Sequence, residues 1–287
     1  MKLQVSQDSL FIPRILSISG TDPSGGAGMQ ADLKVFSAMK TYGMSVVTAV
    51  VAQNTQGVRA FKALDASFVA DQIDSVFEDI HVDAVKIGMV ANAQIAKIIA
   101  ERLAYHKARF IVFDPVMVAK SGDLLLKLDT IEVMRDVLVP MSTLITPNLP
   151  EAALLLGSDV QWSLNAMYHY GPRLLALGCN AILLKGGHLS TLAKKSAENH
   201  NSFSPDLYCD SKGSVMLEGS RFITTHDHGT GCTISAAIAA FLPTRPLVCA
   251  VRQAKDYLNG ALYASEALQV GKGRGPLHHF YELWKNM

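Results

Sequence analysis

The stretch RILSISGTDPSGGAGMQADLKVFSAMKTYG, residues 14–43, decides the class of fold. Its start, RILSIS, is typical of a buried strand, and MQADLKVFSAMKTYG has the apolar spacing of an amphipathic helix. The loop between them, Gly20–Gly28, contains four glycines in nine residues. Glycine lets the backbone adopt positive φ and approach a ligand closely, and free amides at a helix start can face a polar group. The stretch therefore indicates a strand–loop–helix unit whose loop is either an ordinary turn or a ligand loop.

The same alternation continues along the chain. The helix-like SFVADQIDSVFEDI (67–80) lies among short apolar runs that we predict as strands: SVVTAVVA (45–52), DAVKIGM (83–89), ARFIVFDPV (108–116), STLITPN (142–148) and NAILLKGG (180–187). Strands separated by helices favour an α/β fold with a mainly parallel central sheet and helices on both faces. Polar or glycine-rich residues end most of these strands, at the edge where such sheets bind ligands. This pattern favours an enzyme.

The composition restricts the classes of protein. The 287 residues are 49% hydrophobic and 18% charged, with a formal net charge of +1. This charge gives no electrostatic support for a nucleic-acid or anionic-membrane partner, and the apolar runs are too short for a membrane span. Residues 1–13, an N-terminal extension, lack the pattern of a signal peptide. The four cysteines show no metal-type spacing, and free thiols without an export signal indicate the cytosol.

No Pro- or Ser-rich linker and no internal repeat divides the chain, so we expect a single domain over residues 1–287. Residues 190–214 are polar and low in periodicity. They predict a surface excursion in which LYCD, residues 207–210, forms an edge strand.

Gln53 and Asp32 are candidates for contacts to a small ligand. Gln53 ends an apolar strand, and its carboxamide offers a donor and an acceptor side by side, which matches the edge of an aminopyrimidine or a similar ring. Its neighbour Asn54 fits ordinary turn chemistry. Asp32 lies four residues after the glycine-rich loop, where a carboxylate either accepts hydrogen bonds from a ligand or complements the positive end of the helix.

Polar residues at three later strand ends are candidates for contacts to Mg²⁺ or to a phosphate. Asn148 and Glu151 lie three residues apart where a helix begins, so they form either a capping box or a pair that orders Mg²⁺. Lys185 ends a buried strand beside two glycines, where it either contacts a phosphate or extends to solvent. Asp114 ends another predicted strand and precedes Pro115.

The segment HDHGTGC, residues 226–232, precedes a predicted helix, TISAAIAAF. Gly229, Thr230 and Gly231 would supply amides and a hydroxyl at the positive end of that helix. Such a loop either caps the helix or stabilises charge on a transferring phosphoryl group. Cys232 would be either an inert buried thiol or a reactive one, because a helix N-terminus lowers the pKa of a thiol.

Eight motifs occur together in this order: SISGTDPSGGAGMQADLK, TAVVAQNTQGV, VKIGM, VMVAKSGD, LITPNLPEA, LLKGGH, HGTGCT and VGKGRGPLHHF. The chain from Ile15 to His279 thereby resembles the ribokinase-like superfamily, and most closely its bacterial hydroxymethylpyrimidine/phosphomethylpyrimidine kinases of thiamine biosynthesis. The resemblance implies a homodimer that uses ATP and Mg²⁺. It also implies two successive phosphorylations of 4-amino-5-hydroxymethyl-2-methylpyrimidine, first to the monophosphate and then to the diphosphate.

The resemblance also assigns roles to individual residues. In the substrate pocket, Gln53 would pair with the aminopyrimidine edge and Met89 would pack against the ring. The substrate pocket would be completed by Asp32, Gly20 and the backbone near Val51. The nucleotide phosphates and Mg²⁺ would be bound by Lys185, Asn148, Asp114 and Glu151, with Glu151 on the metal. The anion hole would be formed by Gly229, Thr230, Gly231 and Cys232.

Cys232 stands where many members of the superfamily carry Asp. The resemblance therefore implies that its thiolate accepts the proton of the attacking hydroxyl. The second reaction should need this base less, because its acceptor is a phosphate oxygen that is largely ionised at neutral pH. His226 and Asp227 depart from the Asn-Thr that relatives often carry before this loop, and Pro115 differs from some relatives.

Two alternatives remain open at this stage. A pyridoxal or pyridoxine kinase would also bind an aromatic ring with a hydroxymethyl group, but pyridoxine has no exocyclic amine for the Gln53 carbonyl to accept from. A catalytically inactive ligand-binding or regulatory protein would share the fold, but Lys185, Glu151 and the GTGC sequence argue against it.

Overall fold

The computed structural model describes residues 11–117, 126–161, 163–187, 189 and 203–284. Its strands are β1 (Arg14–Ser19), β2 (Tyr42–Val47), β3 (Ala49–Asn54), β4 (Gly57–Ala63), β5 (Ala84–Ile87), β6 (Ile111–Phe113), β7 (Leu144–Ile145), β8 (Ala181–Lys185), β9 (Asp206–Asp210) and β10 (Gly213–Leu217). Its α-helices are α1 (Gly28–Ala38), α2 (Ala66–Asp79), α3 (Ala93–Tyr105), α4 (Leu128–Val133), α5 (Leu149–Leu155), α6 (Leu164–Leu175), α7 (Thr230–Phe241) and α8 (Leu247–Tyr263). Most of the VMVAKSGD motif, together with His188 and residues 190–202 of the polar segment, lies outside the described residues.

Eight of these strands form one sheet in the order β10-β9-β8-β7-β6-β5-β1-β2. Within that sheet the neighbours in the run β8-β7-β6-β5-β1-β2 pair in parallel. The last two strands are antiparallel: β9 pairs with β8, and β10 pairs with β9. The predicted mainly parallel α/β sheet is therefore confirmed. LYCD does form a strand, but the prediction that it is an edge strand was wrong, because β9 pairs with β8 on one side and with β10 on the other.

Helices cover both faces of the sheet, as its apolar strands require. One face packs against α2 to α6, and the other packs against α1, α7 and α8. Successive residues of a strand point to opposite faces, so Ile15 and Ser17 of β1 face α1 while Leu16 and Ile18 face the first layer. None of the helices described combines the length and apolar character of a membrane span.

The predicted strand SVVTAVVA is two strands in the structure. The chain leaves the main sheet at Thr48, whose buried hydroxyl donates to the Met89 carbonyl at 2.6 Å. Residues 49–54 then pair antiparallel with β4, which the sequence pattern did not predict because every one of its residues but the last is exposed. We call this two-stranded unit, residues 49–63, the flap. Gln53 therefore lies in the flap and not at a strand end of the main sheet.

The first helix is shorter than its apolar spacing predicted. It ends at Ala38, and Lys40 turns the chain with a left-handed φ of 58°. Tyr42 and Gly43, which we predicted as helix, begin β2 beside β1. At the other end, β1 starts at Arg14, directly after the predicted N-terminal extension.

Candidate active site

Two glycine-rich loops meet at the carboxyl edge of the sheet. Gly229 has a left-handed φ of 89°, and a Cβ placed on it would overlap the carbonyl oxygen of Gly26. Gly28 has a φ of 54°, and its Cβ would lie 2.6 Å from the carbonyl oxygen of Gly20. Residues with side chains rarely adopt this backbone conformation. The glycines therefore allow the start of α1 and the start of α7 to pack backbone against backbone.

A buried carboxylate joins the same two loops. Asp22 is fully buried and contacts His228 Nε2 at 2.8 Å. Its oxygens also accept the amides of Ser24 at 2.8 Å and Ala27 at 2.7 Å. Burial alone would raise the pKa of Asp22, but hydrogen bonds from His228, Ser24 and Gln53 lower it below its usual range. The carboxylate is therefore ionised, and it fixes the loop Gly20–Gly28, the flap and HDHGTGC relative to one another.

The GTGC sequence forms the beginning of α7. Gly229 is the N-cap residue and the helix starts at Thr230, so the amides that follow have no intrahelical acceptor and carry the positive end of the helix dipole. A Cβ on Gly231 would lie 3.2 Å from Lys185 Nζ and 3.4 Å from an oxygen of Asp114. The structure thus brings the predicted anion loop, Lys185 and Asp114 to one place.

Lys185 lies between two buried acids. Its ammonium is 2.8 Å from Asp114 Oδ1 and 4.0 Å from Glu151 Oε2. Thr146 also donates to Asp114 Oδ1 at 2.9 Å. Burial would raise the pKa of Asp114, but Lys185 and Lys86 lower it. Asp114 is therefore ionised. Lys185 reaches the anion loop as a cation whose charge is partly neutralised by Asp114.

Asn148 and Glu151 form the capping box that their spacing predicted as one alternative. Asn148 Oδ1 accepts the Glu151 amide at 2.9 Å, and Glu151 Oε2 accepts the Asn148 amide at 2.8 Å. The cap does not exclude the other alternative, because the cap turns the Glu151 carboxylate toward Lys185. Burial raises the pKa of Glu151 to about 7, with Lys185 opposing the rise.

The donor groups present fit Mg²⁺ only if phosphate oxygens complete its coordination. Within the described ranges, no group of three or more His, Cys, Asp or Glu could hold a metal ion alone. Mg²⁺ usually keeps several waters and binds through one or two carboxylates together with substrate phosphates. Glu151, 4.0 Å from Lys185 Nζ, is a carboxylate of this kind.

Cys232 lies in the first turn of α7, and its environment differs from the prediction. The backbone amide of Gly28, at the start of α1, hydrogen-bonds to its sulfur. We predicted a lowered pKa from the helix end. Instead, burial raises the pKa of Cys232 to about 11, and the charges of Asp32 and Asp114 add to this while Lys86 opposes it. The residue as a whole is half-buried.

Asp32 does not reach the surface of the site. It is fully buried, and its carboxylate contacts Lys86 Nζ at 2.8 and 3.0 Å and accepts from the Ser17 hydroxyl at 2.6 Å. Burial would lower the pKa of Lys86, but the adjacent carboxylate raises it above its usual value, so the pair is ionised. The structure therefore places Asp32 beneath the pocket and not along its wall.

The other predicted ring-binding residues surround the end of β1. A Cβ on Gly20 would lie 3.1 Å from Met89 Sδ, so these two residues are in contact range across β1 and β5. Gln53 is half-buried and reaches Asp22 from the flap. Val51 is buried, and its amide donates to Thr21 Oγ1 at 3.0 Å. The last of these contacts ties the flap to the glycine-rich loop.

The motif VGKGRGPLHHF closes the far side of the site. The Arg274 amide donates to the Thr55 carbonyl at 2.8 Å, and the Gly273 amide donates to the Thr55 hydroxyl at 3.1 Å. The Arg274 guanidinium pairs with Asp227 at 2.7 Å, and the Gly275 carbonyl accepts the His228 amide at 3.0 Å. This motif therefore connects the tip of the flap to HDHGTGC.

Our reading of the sequence missed four residues that build the site. Lys86 lies in the motif VKIGM, Asp22 and His228 lie in the two glycine-rich motifs, and Thr55 lies in the flap. Only Lys86 could have been noticed from the sequence, because it stands in the middle of an apolar strand and a buried lysine needs a charged or polar partner. The contact between Asp22 and His228 joins residues 206 positions apart, which spacing cannot predict.

Comparison with known proteins gives one family match, one similar relative and two similar solved structures. Residues 22–278 match the family described as phosphomethylpyrimidine kinase. The hydroxymethylpyrimidine/phosphomethylpyrimidine kinase of Salmonella typhimurium is 49% identical over 270 residues, which cover 94% of this chain and 98% of that protein. Among solved structures, the Bacillus subtilis pyridoxal kinase in complex with ADP has a TM-score of 0.85 at 31% identity, covering 95% of this chain and 99% of its own. The Clostridium difficile phosphomethylpyrimidine kinase has a TM-score of 0.74 at 38% identity, covering 90% and 100%.

The backbone contact at Gly229 gives a test of how the two loops are held. Gly229→Ala should lower the free energy of unfolding by about 1–2 kcal/mol for the left-handed φ, and by a further 1–3 kcal/mol, roughly, for the overlap with Gly26. Gly157 has a similar left-handed φ of 59° and no atom within 4 Å of its Cβ position, so Gly157→Ala should lose only the first contribution. Urea denaturation measures both. Equal losses of the free energy of unfolding in the two variants would show that the overlap with Gly26 is relieved without an energetic cost.

Proposed function

The chain belongs to the phosphomethylpyrimidine kinase family, and on that premise we propose that it phosphorylates 4-amino-5-hydroxymethyl-2-methylpyrimidine twice in thiamine biosynthesis. The first reaction converts the hydroxymethyl group to its monophosphate, and the second converts the monophosphate to the diphosphate. One observation carries the proposal: the start of α7, Lys185 and Asp114 converge at Gly231. Amides and a cation in this arrangement stabilise a transferring phosphoryl group.

In the first reaction, Cys232 is the base. Its thiolate accepts the proton of the hydroxymethyl group, the hydroxyl oxygen forms a bond to the terminal phosphorus of ATP, and the bond from that phosphorus to the bridging oxygen breaks to release ADP. The amides of Gly229, Thr230 and Gly231 bind the transferring group, and Lys185 neutralises the charge that develops on the phosphates. A covalent phosphocysteine is not needed, because the substrate supplies the nucleophile.

The second reaction uses the same groups with one difference. Its acceptor oxygen belongs to the monophosphate formed first, and this oxygen is largely ionised at neutral pH because the second pKa of a phosphate monoester is about 6. No proton has to be removed during the attack. Cys232 therefore contributes less to this reaction than to the first.

The cosubstrate that the site supports best is ATP with Mg²⁺. Lys185 would contact the phosphates, Asn148 would hold Glu151 in position through the cap, and Asp114 would hold Lys185. Glu151 would hold the ion, which supplies charge neutralisation on the phosphates when it is bound. An ATP-dependent reaction that relies on a free thiol also fits the cytosol.

A pyridoxal kinase is the second candidate, because the Bacillus subtilis structure named above is similar to this chain over almost all of both chains. The contact of Gln53 with Asp22 favours the pyrimidine. An ionised carboxylate only accepts hydrogen bonds, so Gln53 must turn its amide NH₂ toward Asp22. Its carbonyl oxygen then remains to accept from an exocyclic amine, which the pyrimidine has and pyridoxal lacks.

Steady-state assays of ATP consumption with each ring compare these two functions. We expect a higher kcat/KM for the hydroxymethylpyrimidine than for pyridoxal. Gln53→Ala should raise KM for the pyrimidine roughly tenfold, the effect of one lost hydrogen bond, with little change in kcat. Asn54→Ala, at the adjacent exposed position, is the control.

A higher kcat/KM for pyridoxal in the wild type would make the second candidate the function. Binding of the pyrimidine without any turnover of Mg-ATP would indicate a non-catalytic binding protein on the same fold. An unchanged KM in Gln53→Ala would refute the assigned pairing.

The role of Cys232 predicts different losses in the two reactions. Cys232→Ala should slow the first phosphorylation by about 10²–10⁴-fold, the usual contribution of a general base, and the second by less. Quenched-flow measurements with the hydroxymethylpyrimidine or its monophosphate as the starting substrate separate the two rates. Equal losses would show that the thiol does something other than accept a proton.

The raised pKa of the thiol gives a pH signature for the same role. A base acts in its deprotonated form, so below a pKa of about 11 the kcat/KM of the first reaction should still rise with pH between roughly pH 8 and 9.5. Cys232→Asp replaces the thiol by a group that ionises at lower pH, so its profile should be flat over this range. A rise that persists unchanged in Cys232→Asp would contradict the assignment.

A homodimer is the assembly that the exposed apolar side chains of the flap support. Val50, Val58 and Phe61 are 54%, 51% and 43% exposed. Phe61 and Val58 lie on the face of Val51 and Gln53, and Val50 lies on the opposite face. Exposed apolar side chains gathered in one small unit favour an interface. We expect sedimentation velocity to give a dimer in the wild type and a weakened dimer in Phe61→Ser. Phe68→Ser, which removes a 55% exposed phenylalanine from α2, is the control. Equal behaviour of both variants would place the interface elsewhere.

A further inference from the structure

Five ionisable side chains, all largely buried, form a row across the carboxyl edge of the sheet. In spatial order acids and lysines alternate: Asp32, Lys86, Asp114, Lys185 and Glu151. The two close ion pairs are each 2.8 Å long, and the most exposed of the five side chains is only 17% exposed. The proposed function uses the half of the row that contains Lys185. It leaves the fully buried pair of Asp32 and Lys86 without a role.

The ammonium of Lys86 is directed toward the site. Lys86 alternates along β5 with Val85 and Ile87, so it points to the same face as Ala84, the face that α1 and α7 cover. A Cβ on Gly88 would lie 2.8 Å from Lys86 Nζ. Gly88 follows the carboxyl end of β5, so the ammonium extends upward from its strand to the level at which the ligand site begins.

The thiol of Cys232 and the ammonium of Lys86 are both placed at the start of α1. Gly28 hydrogen-bonds to the Cys232 sulfur, and Asp32 is one turn further along α1 on the same side as Gly28. The charged groups that face the thiol come from four elements: Lys86 of β5, Asp32 of α1, Asp114 after β6 and Lys185 of β8. Of the two cations, Lys86 contacts Asp32 of α1, whereas Lys185 contacts Asp114 beside Gly231.

Stability alone does not account for the pair. Burying two charges costs several kcal/mol, and a buried ion pair is often no more stabilising than apolar side chains of the same volume. A buried cation beside a thiol has a chemical consequence, however, because a nearby positive charge favours the thiolate. Without the Lys86 cation, the neighbouring buried acids would leave a smaller fraction of Cys232 as thiolate.

We propose that Lys86 is a positioning residue of the kinase: its ammonium, held by Asp32, whose carboxylate also accepts from Ser17, stabilises the thiolate of Cys232. Asp32 has two opposite effects in this arrangement. It fixes the ammonium in place, and its own negative charge disfavours the thiolate. The contribution to catalysis rests on the function proposed above, whereas the effect on the thiol is a property of the free protein and can be measured without substrate.

The test is the rate at which iodoacetamide alkylates Cys232 at about pH 8, where the rate is proportional to the thiolate fraction. A Cys249→Ser background removes the exposed thiol, and Cys179 and Cys209 are buried. Mass spectrometry of the peptide that contains Cys232 follows the reaction. Lys86→Met should slow alkylation about tenfold, whereas Asp32→Asn, which keeps hydrogen-bonding groups for Lys86 and Ser17, should accelerate it about tenfold.

The opposite signs separate an electrostatic role from a structural one. If the pair served only the fold, both variants would loosen the same region and change the rate in the same direction. Lys97→Met, which removes an exposed lysine from α3, should leave the rate unchanged. The double variant Asp32→Asn/Lys86→Met contains no unpaired buried charge, so it keeps the test valid if Lys86→Met does not fold. It should react about tenfold more slowly than Asp32→Asn.

The second readout is the rate of each phosphorylation. Lys86→Met, or the double variant relative to Asp32→Asn, should slow the first phosphorylation more than the second. Alkylation rates that change in the same direction in both single variants, or in neither, would overturn the proposal. Opposite changes in alkylation without any kinase activity in the wild type would instead refute the proposed function and leave the effect of Lys86 on the thiol intact.

Discussion

The backbone contact between Gly26 and Gly229 is the constraint on which the site depends. Two loops from opposite ends of the chain approach so closely that neither position has room for a Cβ. The contact sets the start of α1 beside the start of α7. Asp22 and His228 then fix the pair with a buried charge. The anion loop, the thiol and the glycine-rich loop are therefore parts of one rigid unit.

Charge balance explains why a thiol suits position 232. The neighbouring row already contains three acids, and two of them face the sulfur. With its raised pKa the thiol is protonated in the resting protein and adds no further negative charge, and it must lose its proton before its thiolate can act as a base. The cost is a high pKa, and two cations from opposite sides of the row reduce that cost. In the second reaction the acceptor is already ionised, so the cost is smaller there.

The sequence was sufficient for features that depend on local pattern and insufficient for those that depend on long-range contacts. Strand and helix alternation predicted the sheet, and strand ends predicted where polar residues would gather. The flap was missed because β4 is almost wholly exposed and carries no buried pattern, and SVVTAVVA concealed the break at Thr48. Asp32 was expected to face the ligand. In the structure its carboxylate instead forms a buried ion pair with Lys86 of the neighbouring sheet, which the sequence pattern could not show. The pKa of Cys232 depends on burial and on the charges of Lys86, Asp32 and Asp114, which lie far from it in the sequence. The general rule that a helix start lowers the pKa of a thiol includes neither effect.

A crystal structure with the hydroxymethylpyrimidine and a non-hydrolysable ATP analogue would test the central claim most directly. The account predicts that the hydroxymethyl oxygen lies within hydrogen-bond reach of Cys232 Sγ, roughly 3–3.5 Å away, while the exocyclic amine donates to Gln53 Oε1 and the terminal phosphate lies against Gly229–Gly231 and Lys185. A hydroxymethyl group directed away from the thiol, with the ring bound through other residues, would contradict it.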